Sequence, residues 1–274
     1  MVNPLRADPT RTTLLRNKFV ADMGSRFTRV SNASYRFVVT DNNLILNYEF
    51  KSDPEKLEAY KKWLKEQVDK QLIIVSNNET PWTDEYIQSS YKAATVRSWE
   101  DVRKKQGKST ATEAKKEFMS SFSLPVTQHR LQLLYTRCWD ALVGVTQQMG
   151  AELSRTLADG LVHGLGAREV GKNIVEAVGF SKNRAMVVAR TELINAYAEG
   201  QLDTFDKLGI QKLGVAVEHL TAGDKRVCPR CQALNGKIYN STEEARGKIP
   251  VHPQCRCAWI PYVDISEYVG KGKK

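Results

Sequence analysis

Nothing in this chain approaches the ~20 consecutive apolar residues that a membrane helix needs. The stretch Met1 to Thr12 lacks the apolar segment of a secretory signal. The expected setting is therefore the cytoplasm where the chain is made. No segment repeats at a period of about 20–50 residues, which argues against a solenoid. No Ser–His–Asp arrangement and no His-Glu-x-x-His stretch can be assembled. The glycine-rich run Gly160 to Gly166 has no phosphate-loop lysine and does not fit dinucleotide spacing, so it reads as a helix end with a linker. Acidic charge is also in deficit: 31 Asp and Glu face 41 Lys and Arg, a net charge of +10. That balance suggests an acidic partner, nucleic acid being the commonest, yet no basic region interleaved with aromatics marks a base-reading surface.

Cysteine is scarce and unevenly placed. Cys138 stands alone in a helical apolar pattern and reads as a small core residue. Cys228, Cys231, Cys255 and Cys257 crowd the end of the sequence. In a reducing compartment such a cluster points to a metal site rather than a disulfide framework.

Most of the chain reads as helix. A basic first helix spans Asp8 to Val30, with Leu14, Leu15, Phe19, Met23 and Phe27 at helical spacing and Arg6, Arg11, Arg16, Lys18, Arg26 and Arg29 at other positions, a solvated face. Phe37–Val39 and Leu44–Phe50 flank Asp41-Asn42-Asn43, which suggests a β-hairpin. Asp53-Pro54 opens a helix to about Ile73. The loop Ser76 to Pro81 leads to another helix, from Thr83 to Lys105. From Thr127 to Gly160 a near-heptad stripe of Leu131, Leu134, Cys138, Leu142, Val145, Met149 and Leu153 predicts one long helix. A short helix from Arg168 to Val178 is expected next, then a longer one capped by Ser181. After Gly209 the helical period stops, and Leu213 to Val217 alternates like a strand. Lys271, Lys273 and Lys274 form a basic tail, read as a frayed terminus.

The spacing of the late cluster is Cys228-x-x-Cys231, then His252-x-x-Cys255-x-Cys257. A two-residue gap lets both thiolates of a tight knuckle reach one ion, and Pro229 stiffens that turn. Asn235-Gly236 is hairpin chemistry that can bring the chain back. His252 and Cys255 would then close a tetrahedral zinc site with Cys228 and Cys231. Two alternatives stay open: Cys257 in place of Cys255, or four cysteines without His252. In an extended segment Cys255 and Cys257 lie about 6.6 Å apart, so both reach one ion only if the backbone bends sharply. Four protein ligands leave no open position, so the ion reads as structural. His129, His163 and His219 are isolated; His219 is the nearest substitute ligand.

The run Asp224-Lys225-Arg226-Val227-Cys228-Pro229-Arg230-Cys231-Gln232-Ala233-Leu234-Asn235-Gly236, with Pro250-Val251-His252-Pro253-Gln254-Cys255-Arg256-Cys257, resembles the signature of the phage Mu F-like minor head proteins. Upstream, Ala189-Arg190-Thr191-Glu192-Leu193 and Ala198-Glu199-Gly200 resemble the helix that precedes it in that family. The resemblance implies a minor structural or head-morphogenesis protein, carried inside the capsid in few copies, with portal and capsid proteins as partners. No catalytic residues come with it. Relatives with an added toxin domain exist, but seventeen residues follow Cys257, so none is expected here. Arg190 and Glu192, two apart on a helix, would meet different partners in a structural role.

The expected fold class is mainly α with a small α+β zinc-knuckle module at the C-terminus. Its parts would be an N-terminal helical region with a hairpin (1–125), a long-helix core of the head-morphogenesis domain (126–210) and a zinc-binding β-containing module (211–274). The expected role is non-enzymatic, in the virion after assembly in the host cytoplasm, with structural zinc, no membrane and a non-specific contact with DNA. The competing readings are a zinc-stabilised nuclease or transferase, a zinc-finger interaction module resembling half of a LIM domain, and a thioredoxin-like role for Cys228-Pro229-Arg230-Cys231.

Overall fold

The structure is a computed structural model that describes residues 8–41, 44–46, 52–74, 80–108, 110, 112–120, 125–209 and 215–263. It is mainly α with a small three-stranded antiparallel sheet near the C-terminus. The helices are α1 (Thr13–Arg36), α2 (Asp53–Gln71), α3 (Asp84–Lys105), α4 (Thr112–Ser120), α5 (Pro125–Val162) and α6 (Ala167–Lys207). Then come β1 (Val215–Leu220), the short helix α7 (Pro229–Leu234), β2 (Ile238–Tyr239), a one-turn helix α8 (Thr242–Ala245) and β3 (Ala258–Val263). No helix among the described residues is long and apolar enough to cross a membrane.

The stripe read on α5 is its buried face: Leu131, Leu134, Cys138, Leu142, Val145, Met149 and Leu153 are all buried. Three expectations change. Phe37–Asp41 is a π-helical turn that continues α1, not a strand. Its valines and aromatic suit a strand, but Phe37 stacks on Trp63 at 4.3 Å and that packing holds the helical course. The second half of that hairpin, residues 47–50, lies outside the described residues, as do most of the Ser76 loop, residues 213–214 and the basic tail. Next, α6 runs unbroken through Gly179, so Ser181 is a buried mid-helix residue and not a cap. A lone glycine costs a helix about 1 kcal/mol, which the buried flanks Val178, Ala185 and Ala189 offset. Finally, Leu14 is 86% exposed while Phe19, Met23 and Phe27 are fully buried.

The chain divides into two compact units. One holds residues 18–84 and 137–189. It is a helical unit with an apolar interior, in which Phe19, Phe27, Tyr60, Met149, Leu153, Val170 and Ile174 are enclosed. Gly171 lets α6 approach α1: a methyl there would sit 2.6 Å from Val39 and 2.9 Å from Tyr35. Arg26 is not solvated as expected. It lies 4.0 Å over the Trp82 ring, pairs with Asp22 at 3.2 Å and donates to the Gln71 carbonyl.

The other unit holds residues 1–17, 85–136 and 190–274. Residues 192–200 of α6 are buried on every face, as in a central helix. The sheet, in the order β2-β1-β3, packs on it. Val217, Tyr239 and Trp259 share one cluster with Ile194, Ala198, Leu202 and Phe205 of α6 and Val102 of α3. The small module therefore completes its core on helices rather than standing on its own apolar residues. Gln201 of α6 supplies what a further strand would: its amide donates to the Trp259 carbonyl at 2.7 Å and accepts from the Trp259 N–H at 2.9 Å.

Candidate metal centre

The knuckle is the start of α7. Cys228 is its N-cap, extended in backbone, and Pro229 occupies the first turn, where a missing N–H costs nothing. The Cys231 N–H donates to Cys228 Sγ at 3.4 Å. That bond comes first among the causes holding the Cys228 thiol below its ordinary pKa. Asn235-Gly236 does not form a hairpin tip. It is the exit of α7, with Gly236 at φ +80° and its N–H donating to His219 O, and it leads directly into β2. The Asn235 side chain accepts from the Thr221 N–H and hydroxyl, both at 3.0 Å.

The return segment turns at Gln254, whose φ of 64° is left-handed. Thr191 of α6 accepts the Gln254 N–H, and Arg190 donates to its side-chain oxygen at 3.0 Å. This is what Arg190 does: it ties the central helix to the loop that carries His252 and Cys255. The sulfurs of Cys255 and Cys257 lie within 4.8 Å of one another.

His252 Nε2 lies 3.2 Å from Cys228 Sγ and 3.1 Å from Cys231 Sγ. Cys231 Sγ lies 3.9 Å from Cys255 Sγ. The donors form two overlapping triads, Cys228–Cys231–His252 and Cys231–Cys255–Cys257, each within 4.8 Å. Bonds of ~2.3 Å to sulfur and ~2.0 Å to nitrogen around a tetrahedral zinc place donors about 3.5–3.8 Å apart. The Cys228–Cys231–His252 triad and the Cys231–Cys255 pair come near that spacing, while the two triads share only Cys231. Sulfur and imidazole donors are zinc's preferred chemistry. Cys231, Cys255 and Cys257 are buried, and burial pushes the Cys231 thiol up. The close approach of Cys257 and Cys255 lowers the Cys255 thiol and raises that of Cys257. The ring's other nitrogen, Nδ1, is 2.7 Å from the Pro253 carbonyl, a contact that orients the imidazole.

His219 is not among these donors. It is fully buried on β1, edge-on to Trp259 at 5.5 Å, with neither ring nitrogen hydrogen-bonded among the described residues. Burial lowers its pKa to about 4. Cys138, His129 and His163 lie elsewhere in the sequence order, on or just after α5.

The sequence reading overlooked two charge clusters. Asp224 accepts two bonds of 2.6 Å from Arg256, which hold its carboxyl well below the usual range and fasten the loop before Cys228 to the segment of Cys255. Glu199, Asp203 and Asp206, one face of α6 at spacings of four and three, grip Arg246 at 2.8, 2.7 and 2.6 Å. Arg130 also pairs with Glu199 and Asp203, and the Tyr91 hydroxyl donates to Asp203 at 2.6 Å. Three carboxylates at that spacing on an otherwise buried helix were the available signal.

A small β-containing module that carries a cysteine–histidine cluster and packs on a long buried helix is the class that this region defines. Residues 151–260 match the family model described as Phage Mu protein F like protein, a family of phage head morphogenesis. The resemblance read in the sequence holds over that stretch, which includes all five candidate donors. No curated protein and no solved structure matches the chain.

Proposed function

We propose that this protein is a minor structural component of a phage head, acting in head morphogenesis against the portal or its neighbouring capsid proteins. The observation that carries the reading is the family match over 151–260, because that stretch covers both the buried helix α6 and the whole donor cluster. Mass spectrometry of purified virions tests it. The expected result is the intact chain at a few copies per particle; its absence from virions overturns the reading.

Within that role the donor cluster holds one structural zinc through Cys228, Cys231, His252 and Cys255. The supporting observation for Cys255 is its sulfur, 3.9 Å from Cys231 Sγ, close to the spacing of two thiolates on one ion. Four protein donors leave no position for a substrate, and an enzymatic role gains nothing from this geometry. Contact with packaged DNA belongs to the same reading, supported by the net charge of +10.

A further inference from the structure

The segments that carry the donors carry guanidinium groups between them. Arg226 and Arg230 flank Cys228, and Arg256 separates Cys255 from Cys257. Any fold that gathers the thiols therefore gathers positive charge. The start of α1 adds Arg16, and α6 adds Arg190 beside Gln254. Arg16 is half-buried, and although Asp8 favours its charge, burial and then Arg256, Arg190 and Arg226 oppose it. One of its terminal nitrogens, Nη1, is enclosed without a hydrogen-bond partner among the described residues. Lys225 and Arg230 are exposed next to this group, and Arg226 is 77% exposed at its side chain. The carboxylates that pair with these cations are Asp8 and Asp224, and Asp224 is already shared between Arg226 and Arg256. The face is left with a clear excess of positive charge.

We propose that this arginine-rich face of the cysteine module binds the phosphodiester backbone of nucleic acid, without reading bases. Guanidinium forks match phosphate oxygens in pairs. A protein interface would instead centre on apolar or aromatic anchors. None of the large exposed apolar residues lies in the segments 224–230 or 252–256. The inference rests on the reading of the chain as a head component lying against packaged DNA. It places the contact on the loops that carry the donors; on the basic first helix Arg26 is already engaged with Trp82 and Asp22.

The test is a titration of the full-length, metal-containing chain with labelled duplexes of about 30 base pairs in two unrelated sequences, at salt from about 50 to 200 mM. Wild type should bind both alike, with log K falling linearly in log salt. The variant Lys225→Gln/Arg226→Gln/Arg230→Gln should lose roughly 0.9 of that slope per removed contact, close to three in all, and at least tenfold in affinity. A control with the same charge loss on the helical unit, Lys62→Gln/Lys65→Gln/Lys70→Gln, should keep its slope. Arg230→Gln alone, with a slope loss of about 0.9, carries the test should the triple variant lose its metal. Equal losses in both triple variants overturn the proposal, since net charge and not this face would be acting. Failure of wild type to bind at low salt also overturns it and points to an acidic protein surface. The head reading is judged separately: a chain that is found in virions yet ignores DNA refutes this inference alone.

Discussion

The two compact units are held together by different means. The interior of the helical unit is aliphatic and aromatic, and its cohesion is spread over many side chains. The interior of the other unit encloses Glu192, Asn195, Glu199, Gln201, Thr204 and His219 along with its thiols. An apolar interior tolerates exchange of one hydrophobe for another of similar volume. A polar interior is specific and brittle, because each group left without its partner costs the desolvation it no longer recovers. The comparison predicts that single substitutions hurt the second unit more, and that the injury stays within it.

The largest effect should come from the metal. Purified protein should carry about one equivalent of zinc, and Cys231→Ser should lose it, forfeiting up to about 10 kcal/mol of binding-coupled folding energy. Hydrogen exchange should show protection falling in 190–207 and 215–263 and surviving in α2 and the later part of α5. Loss of protection everywhere would mean that the two units share one fate. Arg246→Ala comes next. It removes the closest cation of Glu199 and Asp203 and leaves them Arg130, at a cost of about 2–3 kcal/mol in denaturant unfolding. A change under about 1 kcal/mol would show the carboxylates hydrated and the interior less dry than described.

The third prediction concerns acid. The folded pKa of His219, about 4, lies below the ordinary 6.5 because the ring is buried. The unfolded chain therefore takes up a proton as pH falls below about 6.5 while the folded chain does not, so stability is full above that pH and is lost on the way to about 4. The loss is on the order of 3 kcal/mol. His219→Phe should flatten this part of the stability–pH curve relative to wild type, since metal release is common to both. Parallel curves would contradict the assignment.

The smallest effect compares one glycine in each unit. A methyl at Gly200 would lie 2.7 Å from the Tyr91 carbonyl oxygen, which is backbone, whereas Gly171 faces the side chains of Val39 and Tyr35. Gly200→Ala should therefore cost about 2–3 kcal/mol and Gly171→Ala about 1. Equal costs in thermal unfolding would remove the distinction between a rigid and a forgiving interior.

What could be read beforehand follows the same division. The α5 stripe was legible because a seven-residue apolar period leaves one face to bury, and the donor spacing was legible because metal chemistry is local in sequence. The break expected at Gly179 was not there, since a helix tolerates a glycine when its flanks pack. The amide of Gln201 acting as a strand, and Arg246 reaching Glu199 and Asp203, join residues far apart in sequence. Such pairings leave no periodic trace. The spacing of Glu199, Asp203 and Asp206 was visible, but nothing in the sequence joined it to Arg246 or Arg130.

The division of the chain also sets an order in time. Residues 18–84 and 137–189, which make up the helical unit, have all left the ribosome before the first donor, Cys228, is made. The other unit draws on residues 8–17 yet is closed by donors as late as Cys257. At roughly 5–20 residues per second the opening segment waits tens of seconds for its partners. Through that interval the central stretch of α6, buried on every face in the finished fold, has no sheet to cover it. If the donors take an ion as proposed, its capture is the last step of this unit, and a cell short of zinc should accumulate chains whose helical unit is folded and whose other unit is still open.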